Sequence, residues 1–125
     1  MRVSTRVTVV CLAVLALAVA AFAADIAMSV TVAPSVLVLS APTEWITIHT
    51  DMPLASVDRS SLVVTTNGVG VPITTVKADA RGQMVLKIDQ ADVDPFVAPP
   101  SATFVVVGST TAGLTFEGLD TIRVK

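Results

Sequence analysis

The chain has 125 residues and a formal net charge of −2, and it is 53% hydrophobic but only 14% charged. That length admits one domain with a real core and excludes a multidomain enzyme or a polytopic membrane protein. The apolar residues are unevenly placed: 18 of them fall in the first 23 positions, and the other 102 residues are about 47% apolar, ordinary for a soluble domain.

Arg2 and Arg6 make the start positive, Val7 to Ala20 is an apolar run broken only by Thr8, and Ala21-Phe22-Ala23 puts small residues where a signal peptidase reads them. Together these read as a secretory signal peptide over residues 1–23, with cleavage before Ala24. An uncleaved anchor is the rival, since Val7 to Ala24 approaches the ~20 residues that span a hydrocarbon core. The alanine-rich run and the well-placed site favour cleavage. A lipoprotein built on Cys11 fits poorly, because Val10 precedes it and the cysteine lies mid-run. The expected location is extracytoplasmic (periplasmic, secreted or cell surface), with the membrane met only during export. Residues 24–125 would then hold no cysteine, so no disulfide or thiolate ligand. With six basic residues against ten acidic ones, phosphate-backbone binding is not expected, and no nucleic-acid partner with it.

Residues 24–125 read as short alternating segments between turn residues, with no helix-period stretch. Ile26, Met28, Val30 and Val32 share one face until Pro34 breaks the strand. Val36 to Leu39 is a short apolar run closed by Ser40, Ala41 and Pro42. Trp45 to Thr50 alternates again, Ile46 and Ile48 opposite Trp45, Thr47 and His49. Asp51 to Ser61 reads as a polar connection with Val57 dipping inward. Leu62 to Thr66 is a strand, and Asn67-Gly68 is the strongest hairpin signal, both residues accepting positive φ. Val71 to Val76 returns, Pro72 marking an edge. After a turn at Asp79 to Gly82, Met84, Leu86 and Ile88 form an apolar face, with Asp79 a possible neighbour of the acids that follow. Asp92 to Pro100 is a loop; Ala102, Phe104 and Val106 form a strand; Ala112-Gly113 turns; Thr121 to Val124 closes the chain. Seven or eight mostly antiparallel strands at this spacing predict an all-β sandwich, and a barrel of the same strand count fits the spacing too.

Two stretches carry a resemblance. Phe116-Glu117-Gly118-Leu119-Asp120-Thr121-Ile122-Arg123-Val124 resembles the closing motif of an immunoglobulin-like domain that recurs in exported and surface proteins of bacteria and archaea. Pro34 to Trp45 resembles that group's proline, two spaced leucines and a tryptophan. The sequence departs from the pattern at Val38, at Thr43 and in lacking an acidic cluster near Asp79. The resemblance implies an immunoglobulin-like sandwich over residues 24–125 and placement outside the cytoplasm, and it brings no enzymatic activity.

No catalytic residues are expected. His49 is the only histidine, no Gly-x-Ser-x-Gly is present, and the usual zinc clusters cannot be assembled. Asp89, Asp92 and Asp94 form an oxygen-rich loop of a kind that can hold calcium, although the plainer reading is a solvated acidic loop. Trp45, with His49 on the same face, is a candidate interaction residue or sugar platform. Its plainer role is to cover a sheet edge or pack under the loop from Ser40 to Thr43. Asp120 and Arg123 read as a structural pair near the last corner, and Asp58, Ser60 and Ser61 as a self-bonded turn. The expectation is an exported, non-enzymatic structural or interaction module without a cofactor. Its partner would be another exported or surface protein, met at the edge near Pro72 or on the Trp45–His49 face. A calcium- or glycan-binding module is the competing reading.

Overall fold

The structure, a computed structural model, describes residues 24–41 and 45–125. The expected leader Met1–Ala23, with Cys11, and the segment Pro42–Glu44 lie outside the described residues. The strands are β1 (Ile26–Ala27), β2 (Val30–Ala33), β3 (Val36–Leu37), β4 (Trp45–Pro53), β5 (Val57–Thr66), β6 (Val69–Val71), β7 (Thr75–Ala78), β8 (Gln83–Asp89), β9 (Ser101–Thr110) and β10 (Thr115–Val124). They form two sheets. One runs β1-β10-β9-β5-β6, with β3 also on β10; the other runs β2-β4-β8-β7. All pairings are antiparallel except those of β1 and β3 with β10. This is an all-β, sandwich-like fold in two separate sheets; the barrel that the spacing also allowed is not formed.

Among the described residues, ten strands replace seven or eight because two predicted strands are divided between the sheets. Residues 26–33 start beside β10 as β1 and continue beside β4 as β2. Met28, Val30 and Val32 stay buried throughout, since both sheets present their inner faces to one core. Val71 to Val76 is likewise split. β6 edges the β10 sheet, β7 edges the β4 sheet, and Pro72, which has no N–H for a ladder, lies in the crossing. The expected polar connection Asp51 to Ser61 is mostly strand: Asp51–Pro53 belongs to β4, Val57–Ser61 to β5, and only Leu54–Ser56 turns, as a 3-10 helix. A bulge makes this possible. The β4–β8 register shifts between His49 and Pro53, and the buried Thr50 hydroxyl donates to the Met84 carbonyl at 2.7 Å, so the irregular backbone is satisfied. The Asn67-Gly68 hairpin forms as expected, with φ of 50° and 84°.

The core is built by alternation from both sheets. Ile46, Ile48, Met84, Leu86 and Ile88 come from one; Val64, Phe104, Val106, Phe116 and Ile122 come from the other. Each large apolar side chain buried there contributes roughly 1.5–3 kcal/mol.

The closing motif acts as a seam between the sheets. Phe116, Gly118, Asp120, Ile122 and Val124 face inward on β10. Phe116 fills the core. A Cβ at Gly118 would collide with the Met28 carbonyl oxygen and lie 2.5 Å from Val30 Cγ2, so glycine is what lets Met28–Val30 cross between the sheets there. Two residues on, the Asp120 carboxylate accepts from the Val32 amide at 2.8 Å and fixes the crossed segment to β10. Arg123 points to the opposite face of β10, so the expected Asp120–Arg123 pair does not form.

Candidate functional site

The outer face of the β4 sheet carries the residues singled out from the sequence. Along β4, Trp45, Thr47 and His49 alternate outward with Ile46 and Ile48 inward. Trp45 and His49 are four residues apart on one strand, roughly 13 Å, and so mark two ends of a stripe rather than one site. Trp45, 36% exposed, sits directly across from Asp89 of β8, and His49 across from Val85 and Thr31. The structure thus brings Trp45 together with the start of the acidic loop. Between the ends, Lys87 stands opposite Thr47 and Thr75, and Lys77 opposite Val85. Val85 points outward yet is only 5% exposed, as expected where long lysine stems lie across an apolar side chain.

Asp89, Asp92 and Asp94 follow one another through two 3-10 turns, Gln90–Asp92 and Asp94–Phe96. Asp89 caps the first, accepting the Ala91 amide at 3.0 Å, which is a structural use of one carboxylate oxygen. Asp94 Oδ1 is buried with no hydrogen-bond partner among the described residues. Asp79 is not part of this group. It lies in the β7–β8 turn, at the other end of β8 from Asp89, roughly 20 Å away along the strand. Its Oδ1 accepts the amides of Arg81 at 2.8 Å and Gln83 at 3.0 Å. Those bonds, the Gln83 amide foremost, hold its carboxyl below the ordinary 3.8, with the charges of Arg81 and His49 acting in the same direction against a small burial effect. Among the described residues, no three His, Cys, Asp or Glu side chains group so as to hold a metal ion. No helix among them is long and apolar enough to cross a membrane.

The outer face of the β10 sheet, which no alternating pattern singles out, is different in kind. Val63 of β5 pairs with Val107 of β9, and Val105 pairs with Leu119 of β10. The four form two adjacent apolar rows, with Leu119 58% and Val63 47% exposed. Thr65, Thr103 and Thr121 border them, and the Thr103 and Thr121 hydroxyls bond each other at 2.9 Å. No lysine projects between these strands; Glu117 stands directly across from Val107 and ends that row, and Arg123 lies toward the far end of β10. A signal for this face was present. Phe104-Val105-Val106-Val107 is apolar at every position, which in a strand means an apolar residue on both faces.

One end of this face dips into a groove of about 340 Å³, lined by Ala24, Ser61, Val107, Ser109, Thr115 and Glu117, with Gly108 and Phe116 contributing to its floor. A bulge in β5 forms one wall. Its register against β9 slips between Asp58 and Val63, and the Ser61 hydroxyl accepts the Ser109 amide at 2.8 Å and donates to the Asp58 carbonyl at 2.6 Å. Asp58 Oδ1 takes the Ser60 amide and hydroxyl, as expected of a self-bonded turn. Opposite, Asp25 is clamped to Thr115. Its amide donates to the Thr115 carbonyl and hydroxyl oxygens at 3.0 and 2.9 Å, and its carboxylate accepts the Thr115 amide at 2.9 Å.

No protein-family model matches this chain, and no curated protein matches it. The fold and these surfaces describe a globular β-domain whose described residues assemble no group of side chains that could hold a metal ion.

Proposed function

We propose that the chain is an exported, non-enzymatic module of the immunoglobulin-like kind that works by protein contact, through the outer face of its β10 sheet. The observation that carries this reading is the double apolar row Val63–Val107 and Val105–Leu119 on the outer face, with Val63 and Leu119 exposed and Val105 and Val107 half-buried. Contiguous exposed apolar surface of this sort marks contact sites on soluble domains. The β4 sheet makes the contrast, since its one outward valine, Val85, is buried and stands between His49 and Lys77. Support for the immunoglobulin-like assignment comes from strand order. With β2, β4, β8 and β7 in the places of strands A, B, E and D, and β10, β9 and β5 in those of G, F and C, the sheets follow the ABED and GFC pattern. Export rests on the leader pattern of residues 1–23.

The test is a pair of charge substitutions. Val63→Lys with Leu119→Lys on the exported protein should leave the melting curve close to that of the parent and abolish binding to its partner. Equal binding by the double variant would refute this surface.

A second reading is favoured by one observation, the placement of Trp45 directly across from Asp89. An aromatic face beside a carboxylate suits a sugar ring, through stacking and hydroxyl hydrogen bonds. Binding to a glycan array that Trp45→Ala removes would favour it over protein contact.

A further inference from the structure

The groove beside Ala24 has one charged residue in its lining, Glu117, whose carboxylate has neither a hydrogen bond nor an ion pair among the described residues. Its floor is apolar, from Val107, Gly108 and Phe116. Two further carboxylates stand nearby. Asp25 is bonded to Thr115, and Asp58 is in register with Ser109, so the pair flanks the groove along one row of the sheet. Arg59, exposed in the β5 bulge, is the cation nearest in sequence to that wall and does not line the groove. Such a recess suits a small cation that is held in place.

Resting on the leader reading above, we infer that this cation is the chain's own α-ammonium group, released at Ala24 when the leader is cut after Ala23, with Glu117 as its main counter-charge. Ala24 lines the groove, and the hydrogen bonds between Asp25 and Thr115, four in all, fix the residue that follows it. Before cleavage the Ala24 nitrogen is an uncharged amide, and Glu117 faces the groove alone. After cleavage a positive charge sits in a recess bordered by Asp25, Asp58 and Glu117. Processing thereby fastens the first residues of the domain to β10, at the point where the strap that crosses between the sheets begins.

The test uses the exported protein, uniformly labelled with 13C, with the Ala24 Cβ shift followed against pH by NMR and the intact mass recorded on the same sample. An α-amino group ordinarily titrates near 7.7–8.0. Carboxylates bordering a partly solvated groove should raise that value by about half a pH unit. Glu117→Gln should remove most of the rise, and Asp58→Asn a smaller part. An Ala24 amine that titrates at the same ordinary value in the parent and in Glu117→Gln, in a protein whose mass corresponds to residues 24–125, would overturn the inference and leave the leader reading standing. A mass that includes residues 1–23 would overturn both.

Discussion

Replacing Gly118 with alanine adds a single methyl group at the point where the N-terminal strap crosses from one sheet to the other. That methyl would meet backbone, the Met28 carbonyl, as well as Val30 Cγ2 at 2.5 Å. Backbone cannot turn aside as the end of a long side chain can, so Met28–Val30 must lift from β10. Lifting it strains the Met28 amide bond to the Glu117 carbonyl, 2.9 Å in the structure, and loosens two core side chains. Overpacking of this kind costs about 1–3 kcal/mol, and a strained hydrogen bond about 0.5–1.5 kcal/mol. The sum, about 1.5–4.5 kcal/mol, lowers the melting midpoint of a domain this size by roughly 7–20 °C. Gly70→Ala is the matched control: no atom lies within 4 Å of its Cβ position, and it should melt close to the parent. Thermal melts by circular dichroism on both variants decide the matter. A Gly118→Ala protein within about 2 °C of the parent would show that the strap does not need this glycine.

Asp120→Ala should destabilise by roughly 1–3 kcal/mol, because the Val32 amide loses its only carboxylate acceptor in a partly buried place. Hydrogen exchange should show Val32 losing protection before the β4–β8 core does. Asp79 binds its proton less readily in the fold than the ordinary 3.8, so its contribution is fully present above that value and is lost as pH falls through the lower folded value. Asp79→Asn should therefore be less stable than the parent at pH 7, with the gap closing in melts near pH 2; a gap that persists in acid would place its origin elsewhere. Millimolar calcium should leave the melting midpoint unmoved, since Asp89 is committed to its cap and no metal-holding group assembles among the described residues. A rise of several degrees that Asp92→Asn removes would put a cation in the Asp89–Asp94 loop.

Much of the fold was legible because a two-residue period says which side chains face the core. Met28-Val30-Val32, Ile46-Ile48 and Met84-Leu86-Ile88 are buried as their alternation implies. The same period is silent about which sheet supplies the hydrogen bonds, so the division of residues 26–33 and 71–76 between sheets was hidden. The bulges were hidden too. Thr50 and Ser61 absorb the extra residues through bonds to Met84, Ser109 and Asp58, partners far along the chain or set by local geometry. Gly118 and Asp120 could be recognised as part of a motif, but their task depends on where Met28 and Val32 pass. Of the candidate site, Trp45 and His49 were placed on the correct face, whereas the neighbour of Trp45, Asp89, became visible only through strand register. The apolar exterior at Val105 and Val107 is written in an unbroken apolar run, from which alternation alone picks out only the inward residues. The groove at Ala24 has no local signature, since its walls come from Ala24, the β5 bulge and the start of β10.

The most direct test of contact through the β10 sheet is site-specific photocrosslinking of the exported protein in the cells that make it. A photoreactive residue at Leu119 or Val63 should give a discrete adduct with one extracytoplasmic protein, while the same residue at Thr47 or Thr75, on the outer face of the β4 sheet, should give none. Adducts from Thr47 and Thr75, with none from Leu119 and Val63, would contradict the account.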